Sequence, residues 1–280
     1  MSSNNKQVAV VTGSSSGIGL EASIQLARSG FLTYATMRNL EKQNVVHPTN
    51  EQEALPIRTV QLDVTDDKSV NKAIQSILSE AGRIDVLVNN AGFAVTGAFE
   101  DVALDEVKTQ YETNVYGVIR TTQAVLPIMR KQRSGRIINI SSGAGIFGYP
   151  GGSTYVSSKF AIEGLTECMS YELEQFGIKA ILVEPGVIKT NFGSGMVLAK
   201  KAQDPKSPYS QLMQMMSSVV VKLYEGAPGA ELVGKAVVEA ATNPNPKLRY
   251  LVGKDVEQLA AAKKSMSDEQ FQGLMKQAVS

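Results

Sequence analysis

A phenol and an ammonium group stand four residues apart at Tyr155 and Lys159, near the end of a stretch that begins at Ser141. Residues at i and i+4 share one face of a helix, and residues 150–154 (PGGST) supply the turn and capping side chains that begin one. A nearby cation favours phenolate, so we expect Lys159 to lower the pKa of Tyr155. A tyrosine of this kind can exchange a proton with a substrate oxygen near neutral pH. The hydroxyl of Ser142 could hold a substrate carbonyl oxygen.

The Tyr-x-x-x-Lys pattern is unspecific by itself, and the chain contains a second copy at Tyr250 and Lys254. The flanking residues 247–249 (KLR) and Gly253 indicate a short strand followed by a turn. On a strand, four residues span roughly 13 Å, which is too far for the two groups to interact. We therefore take the first pair as the catalytic candidate.

A glycine-rich loop near the amino terminus indicates a nucleotide site. Residues 7–12 (QVAVVT) predict a buried strand, and residues 20–28 have a helical pattern. Strand, glycine turn and helix form the context of dinucleotide binding, in which backbone N–H groups at the helix start face phosphates. The spacing is G-x-x-x-G-x-G, and an ordinary tight strand–helix turn is the alternative. The candidate binding residues are Gly13, Ser14, Ser15, Ser16, Gly17, Ile18 and Gly19.

The end of the second predicted strand, residues 31–36, carries Arg38 and no acid. NAD sites place a carboxylate here for the ribose, whereas NADP sites place a cation for the 2′-phosphate. The guanidinium of Arg38 has a planar set of donors that suits a phosphate, and Ser14 could add a hydroxyl. We therefore expect NADP(H) rather than NAD(H). The alternative is that Arg38 is a solvated surface charge.

The later strand ends supply further polar and small residues at the same predicted sheet edge. Asp63 either faces the cofactor or caps the next helix. Asn114 lies in the apolar line of a helix predicted within residues 104–131. Its buried amide either bonds to the neighbouring backbone or holds a water. Gly186 would permit close approach to a ring. The candidates for cofactor contacts here are Asp63, Val64, Asn90, Ala91, Gly92, Pro185, Gly186, Val187, Ile188 and Thr190.

Composition narrows the class of protein. The 280 residues are 43% hydrophobic and 20% charged with a net charge of +1, which is ordinary for one globular domain and disfavours nucleic acid as a partner. One cysteine, Cys168, which we expect to be buried, and one histidine, His47, cannot build a typical zinc site. No apolar run reaches transmembrane length and no signal peptide begins the chain. We therefore expect a cytoplasmic protein without metal or membrane.

The regular alternation of predicted strands and helices stops in residues 191–229. We interpret this segment as a substrate-binding insert within the single domain 1–280. The methionine-rich run at residues 211–216 (QLMQMM) could line an apolar pocket. A packing helix or a subunit contact is an equally good interpretation of the same run.

Taken in order, these motifs resemble the short-chain dehydrogenase/reductase family, most closely its NADP-using hydroxysteroid and retinol dehydrogenase-like members. The resemblance covers residues 7 to about 190. It implies an α/β Rossmann-type fold, with a seven-stranded parallel sheet and helices on both faces, and homodimers or homotetramers. It also implies a catalytic tetrad of Asn114, Ser142, Tyr155 and Lys159, in which Tyr155 is the general acid/base and Lys159 binds the nicotinamide ribose.

The sequence therefore predicts an NADP(H)-dependent oxidoreductase that interconverts a small-molecule carbonyl and an alcohol. A non-catalytic NADP(H)-binding regulator on the same fold is the alternative, and the intact tetrad argues against it. A methyltransferase-like Rossmann protein would leave Arg38 and the Tyr155–Lys159 pair without a role.

Overall fold

A seven-stranded sheet forms the centre of the computed structural model, which describes residues 6–46, 54–190, 192 and 196–277. Its strands run in the order β3-β2-β1-β4-β6-β7-β9, and all neighbours are parallel. They are β1 (Val8–Val11), β2 (Leu32–Met37), β3 (Ile57–Gln61), β4 (Val86–Asn89), β6 (Gly135–Ile140), β7 (Ile178–Pro185) and β9 (Arg249–Val252). The strand order reverses between β1 and β4, the place where such sheets open a ligand crevice.

The helices cover both faces of the sheet. They are α1 (Gly17–Arg28), α2 (Asp67–Ala81), α3 (Leu104–Tyr111), α4 (Gly117–Gln132), α5 (Ser153–Leu173), α6 (Ser210–Glu225), α7 (Glu231–Thr242), α8 (Lys254–Ser265) and α9 (Asp268–Gln277). Helices α2, α4 and α5 contribute to one hydrophobic core, and α1 and α7 to another. The predicted doubly wound fold is confirmed.

Strand β1 shows why its sequence must be buried. Side chains alternate between the two faces of a strand, so Val8 and Val10 pack on the side of α2, α4 and α5. Ala9 and Val11 pack on the side of α1 and α7. All four residues are fully buried, as expected for a strand that helices cover on both faces.

The single long helix predicted within residues 104–131 is interrupted. The π-helical turn Glu112–Tyr116 separates α3 from α4. A π turn inserts one extra residue into the helical ladder and so changes the direction of the side chains. Asn114 lies in this turn and is buried.

Cys168 is exposed, so the expectation of a buried thiol is wrong. The buried face of α5 runs through Ile162, Thr166, Met169 and Leu173, and Cys168 lies on the other side of the helix. His47 and residues 191 and 193–195 of the predicted insert lie outside the described residues.

Across the described ranges, every helix is too short or too polar to cross a bilayer. The remainder of the insert contributes a second, two-stranded sheet, in which β5 (Val95–Thr96) pairs with β8 (Val197–Leu198). This pair attaches the insert to the loop that follows β4.

Candidate active site

Tyr155, Ser142 and Lys159 meet at the carboxyl end of the sheet. Tyr155 lies in the first turn of α5 and is 8% exposed. Ser142, which follows β6, lies near enough to this phenol to favour its ionised form. The Lys159 Nζ atom lies 5.6 Å from the centroid of the Tyr155 ring and donates to the Ile140 carbonyl at 2.8 Å. The structure therefore brings three of the four predicted catalytic side chains together.

The pKa of Tyr155 is raised, so the predicted direction is wrong. Burial is the main cause, the charge of a second buried phenol, Tyr149, adds to it, and the Ser142 hydroxyl opposes it. Burial also lowers the pKa of Lys159 to about 8, against the carboxylate of Glu163, which raises it. Removal from water thus outweighs the attraction between the ammonium and a phenolate, and both groups resist becoming charged.

Asn114 makes three hydrogen bonds that join three segments of the site. Its Oδ1 atom accepts from the Phe93 N–H at 3.1 Å, and its Nδ2 atom donates to the Phe93 carbonyl at 2.9 Å. Nδ2 also donates to Ser158 Oγ on α5 at 3.2 Å. The expected tie to neighbouring backbone is present, and the role of holding a water stays a prediction.

The glycine loop is shaped by backbone conformations that other residues rarely adopt. Gly13 and Gly17 have φ values of +69° and +58°. At Gly19, a Cβ atom would stand 2.4 Å from the Gly13 carbonyl oxygen and 2.4 Å from Asn90 Nδ2. Asn90 in turn donates to the carbonyls of Thr12 and Gly13 at 2.9 and 3.1 Å, which fixes the loop from β4.

Ser14 does not present its hydroxyl to a cofactor. The side chain is fully buried, donates to the Val11 carbonyl at 3.0 Å and accepts from Ser23 at 3.0 Å. The suggestion that this hydroxyl contacts a 2′-phosphate is therefore wrong. Its side chain faces inward and ties the loop to β1 and α1, and the neighbouring Ser15 and Ser16 line the cleft instead.

A cleft of about 940 Å³ lies over the glycine loop. Three exposed cations line it: Arg38 at the end of β2, Lys42 four residues later, and Lys108 on α3. Lys42 was missed by the sequence argument, which stopped at the strand end. The remaining predicted residues that line the cleft are Gly13, Gly17, Ile18, Asp63, Val64, Asn90, Ala91, Gly92 and Thr190.

Asp63 does not cap the helix that follows. Its Oδ1 atom accepts from the backbone N–H and the hydroxyl of Thr65 at 2.9 and 2.7 Å. The N-cap of α2 is Asp66, which accepts from the Lys68 N–H at 2.8 Å. The capping alternative is wrong for Asp63, which lines the cleft.

The segment after β7 is held by side chains distant in sequence. A Cβ atom at Gly186 would stand 2.2 Å from Asp255 Oδ1, so this glycine makes room for a carboxylate and not for a ring. Asp255 accepts from the Val187 N–H at 2.7 Å, and the Ile188 side chain packs into the core. Tyr224, on α6, accepts from the Thr190 N–H at 2.7 Å and donates to the Thr190 carbonyl.

Apolar side chains pack around Tyr155. Tyr149 and Met196 pack in the same cluster as Tyr155, and the Phe192 ring centroid lies 5.9 Å from that of Tyr155. Phe192 also lines the cleft, which connects the tyrosine to the glycine loop. Sequence reasoning missed all three. Of the methionine-rich run, Met213 packs against Gly151, at the start of α5.

Comparison with known proteins supports the resemblance to the short-chain dehydrogenase/reductase family. The family model described as "short chain dehydrogenase" matches residues 7–200. An uncharacterized oxidoreductase, YusZ of Bacillus subtilis, is 41% identical over 90% of this chain and 91% of its own length. A 3-ketodihydrosphingosine reductase of Bacteroides thetaiotaomicron is 36% identical over 92% of each chain. Human 17-beta-hydroxysteroid dehydrogenase type 1 is 34% identical over 88% of this chain and 77% of its own length.

Solved structures share the fold across nearly the whole chain. A short-chain dehydrogenase from Streptomyces avermitilis matches with a TM-score of 0.81, 30% identity, and 98% and 96% coverage of the two chains. A gluconate 5-dehydrogenase from Burkholderia cenocepacia, in complex with NADP and tartrate, matches with a TM-score of 0.73, 25% identity, and 90% and 95% coverage. A Burkholderia phymatum structure in complex with NAD matches at 22% identity and a TM-score of 0.81, with 97% coverage of each chain.

The matching family profile spans well over half of the chain, and full-length relatives share more than a third of its residues. The chain is an oxidoreductase that belongs to the short-chain dehydrogenase family.

Proposed function

We propose that this protein interconverts a carbonyl and an alcohol with NADP(H), and that Tyr155 is its general acid and base. The observation that carries the proposal is the meeting of Tyr155, Ser142 and Lys159 beside a cleft that is lined by glycines and by three exposed cations. Each group is held by contacts from a different part of the fold, which is how a site for chemistry is kept in a defined geometry.

Each catalytic side chain has a distinct part in the proposed reaction. Ser142 holds the substrate oxygen, and in the direction of reduction Tyr155 gives its proton to that oxygen. Since burial raises the pKa of Tyr155, the phenol keeps its proton at neutral pH and is ready to act as the acid. Lys159 offers a positive charge near the ring, and Asn114 keeps α5 in place relative to the loop after β4. Bound NADP(H) supplies or accepts the hydride.

The cleft fits a dinucleotide phosphate on its own chemistry. Gly13 and Gly17 adopt left-handed conformations that open the loop backbone, and α1 begins at Gly17 with its N–H groups free to face an anion. Arg38 and Lys42 supply the positive charges that suit a 2′-phosphate. The relative that was solved with NADP supports this preference, whereas the NAD-bound one shares only the fold.

The proposed substrate is a carbonyl compound with a sizeable apolar body. Support comes from the side chains beside Tyr155, namely Tyr149, Phe192 and Met196, which offer apolar surface and no charge. Two relatives are named for a 3-keto compound and for a hydroxysteroid, which agrees with such a pocket. We propose that residues 191–229 form the substrate-binding insert.

The functional protein is proposed to be a homodimer or homotetramer. Large apolar side chains on α5 and beside α4 are exposed in the single chain, among them Tyr171 at 71%, Tyr116 at 50% and Phe160 at 46%. Burying such groups is favourable in proportion to their area. Sedimentation velocity measures the state directly, and a monomer at micromolar concentration contradicts this part of the proposal.

The proposal is tested by following NADPH oxidation by the purified protein with a panel of apolar ketones, aldehydes and quinones. For the best substrate, Tyr155→Phe lowers kcat by about 1000-fold, because the acid is removed, while the Kd for NADPH changes by less than about threefold. The matched control is Tyr250→Phe, which alters the second Tyr-x-x-x-Lys copy. Tyr250 lies in β9, where its hydroxyl accepts from the Lys247 N–H, so activity is unchanged.

Retention of most activity in Tyr155→Phe contradicts the assignment of the acid. Binding of NADPH without turnover of any compound in the panel contradicts the enzymatic proposal and favours a nucleotide-binding regulator on the same fold.

A further inference from the structure

Three buried oxygen atoms below the catalytic lysine find no hydrogen-bond donor among the described residues. They are Glu163 Oε1, Glu184 Oε2 and Ser141 Oγ, and their residues are 6%, 1% and 3% exposed. Ser141 Oγ and Glu163 Oε1 stand 2.7 and 2.8 Å from the point that a Cβ atom of residue 145 would occupy. Buried polar groups are normally paired, so this grouping of acceptors requires a physical explanation.

A single guanidinium joins the two glutamates. The Arg249 Nη1 atom contacts a carboxylate oxygen of Glu163 and, at 2.9 Å, Glu184 Oε1. Its Nη2 atom binds a third carboxylate, Glu167, at 3.0 Å, but that side chain is about half exposed. One cation therefore faces two buried carboxyl groups and one solvated group.

Two adjacent buried carboxyl groups cannot both ionise without a large cost, so such pairs share one proton. The pKa of Glu184 is raised to about 7: burial is the largest cause, the neighbouring Glu163 adds to it, and Arg249 opposes both. Both carboxyls contact the same Nη1 atom of Arg249, so they lie beside each other. A proton placed between them supplies the donor that their unpaired oxygens lack.

The pair also reaches the proposed catalytic groups. Glu163 lies one helical turn after Lys159 on α5, and its charge raises the pKa of Lys159 against the effect of burial. Glu184 precedes Pro185, whose carbonyl accepts from Ser142 Oγ at 3.5 Å. The pair is thus connected both to the ammonium beside Tyr155 and to the strand beside Ser142.

We propose that Glu163 and Glu184, which both contact Arg249, share one proton, and that this carboxyl pair is a positioning group that keeps Lys159 charged. The charged groups that act on the pair are Arg249 from β9 and Lys159 and Glu167 from α5. The effect on Lys159 rests on the proposed function, whereas the shared proton is a property of the chain without cofactor.

The shared proton is tested by infrared difference spectroscopy of the cofactor-free protein during a titration through neutral pH. The wild-type protein shows a protonated-carboxyl band that is lost with a midpoint near pH 7. Glu163→Gln and Glu184→Gln each abolish the band. Glu167→Gln, which changes a carboxylate on the same arginine but at the surface, retains it. Absence of the band from the wild type, or its survival in either buried variant, overturns the proposal.

Stability gives a second readout that needs no substrate. The pKa of Glu184 in the folded chain is raised above its usual 4.5, so protonation stabilises the fold at low pH. That contribution is lost as the pH rises from about 4.5 through about 7. The thermal midpoint of Glu184→Gln therefore rises relative to wild type across this window. A difference between the two proteins that is constant with pH contradicts the proposal.

The link to Lys159 is tested by the pH dependence of kcat. Removing the charge of Glu163 lowers the pKa of Lys159, so the limb of the profile that reports this group moves down by about one pH unit in Glu163→Gln. Glu184→Gln, which keeps the Glu163 carboxyl, and the Glu167→Gln control move it by less than about 0.3 unit. An unmoved limb in Glu163→Gln overturns the positioning role. Failure of the proposed function itself is seen as absence of wild-type turnover and leaves the infrared result intact.

Discussion

The sheet edge that carries Tyr155 and the segment of residues 196–225 border the same site, yet they are held in different ways. At the edge, Asn114, Ser158 and Lys159 are buried and bonded to one another or to backbone. In the segment, β8 is a two-residue exposed strand, and α6 buries only Met216 among the residues described for it.

The contrast corresponds to two different demands on the molecule. Proton and hydride transfer need groups fixed to a fraction of an ångström, and several buried hydrogen bonds per side chain provide that precision. Binding of an apolar substrate needs apolar contact area more than precisely oriented groups, and flexible methionine side chains supply that area. We therefore expect changes at the edge to lower kcat and changes in the segment to alter KM.

The largest effect is expected from Asn114→Leu. The substitution leaves the Phe93 N–H and carbonyl and the Ser158 hydroxyl without their partner, so kcat falls by about 100-fold. The Kd for NADPH changes by less than about threefold. Steady-state kinetics with the best substrate measure both. Asn243→Leu makes the same change in a turn after α7 and leaves kcat unaltered. If Asn114→Leu changes KM and leaves kcat unaltered, the proposed difference between the sheet edge and the segment is wrong.

The next effect concerns the cofactor end of the cleft. In Arg38→Asp, a carboxylate that repels the 2′-phosphate replaces a cation that attracts it. The Kd for NADPH therefore rises by about 30-fold, while the Kd for NADH changes by less than about threefold. Fluorescence titration at constant ionic strength measures both constants. Lys179→Asp, in β7 and outside the lining of the cleft, is the control. Equal losses for the two nucleotides remove Arg38 from the phosphate site.

A smaller effect is expected from Met196→Ala. Met196 packs against the cluster that contains Tyr155, so truncation raises KM for an apolar ketone by about fivefold and leaves kcat within about twofold. Met266→Ala, at a residue 40% exposed between α8 and α9, has no effect on either constant. A fall in kcat alone contradicts the assignment of Met196 to substrate binding.

The smallest effect is expected from Tyr224→Phe, which removes the hydrogen bonds between α6 and Thr190. Thr190 lines the cleft, so the Kd for NADPH rises by about threefold, a change of less than 1 kcal/mol. Tyr209→Phe removes a surface bond to Glu100 and is the control. A rise in the Kd for NADPH of about 100-fold would show that this contact is as important as those of the sheet edge. The proposed difference between the two regions would then be wrong.

Local pattern was sufficient for the parts of the fold that repeat a simple period. Apolar runs and glycine turns predicted all seven strands of the main sheet, and the capping residues before Tyr155 placed that tyrosine at the start of a helix. The strand bounds differ by one or two residues, as between the predicted 31–36 and the observed Leu32–Met37, because hydrogen bonding to neighbours decides where a strand begins.

The spacing of residues along the chain was enough to predict the doubly wound architecture, the glycine loop and the candidate catalytic side chains, since all of these depend on local pattern. Tertiary structure alone decided the rest. Burial, and not the neighbouring lysine, sets the direction of the pKa of Tyr155. Asp255 occupies the space beside Gly186, and Arg249 joins Glu163 to Glu184 across three elements. Solvent access and contacts between distant residues exist only once the chain has folded, and a linear pattern carries no measure of either.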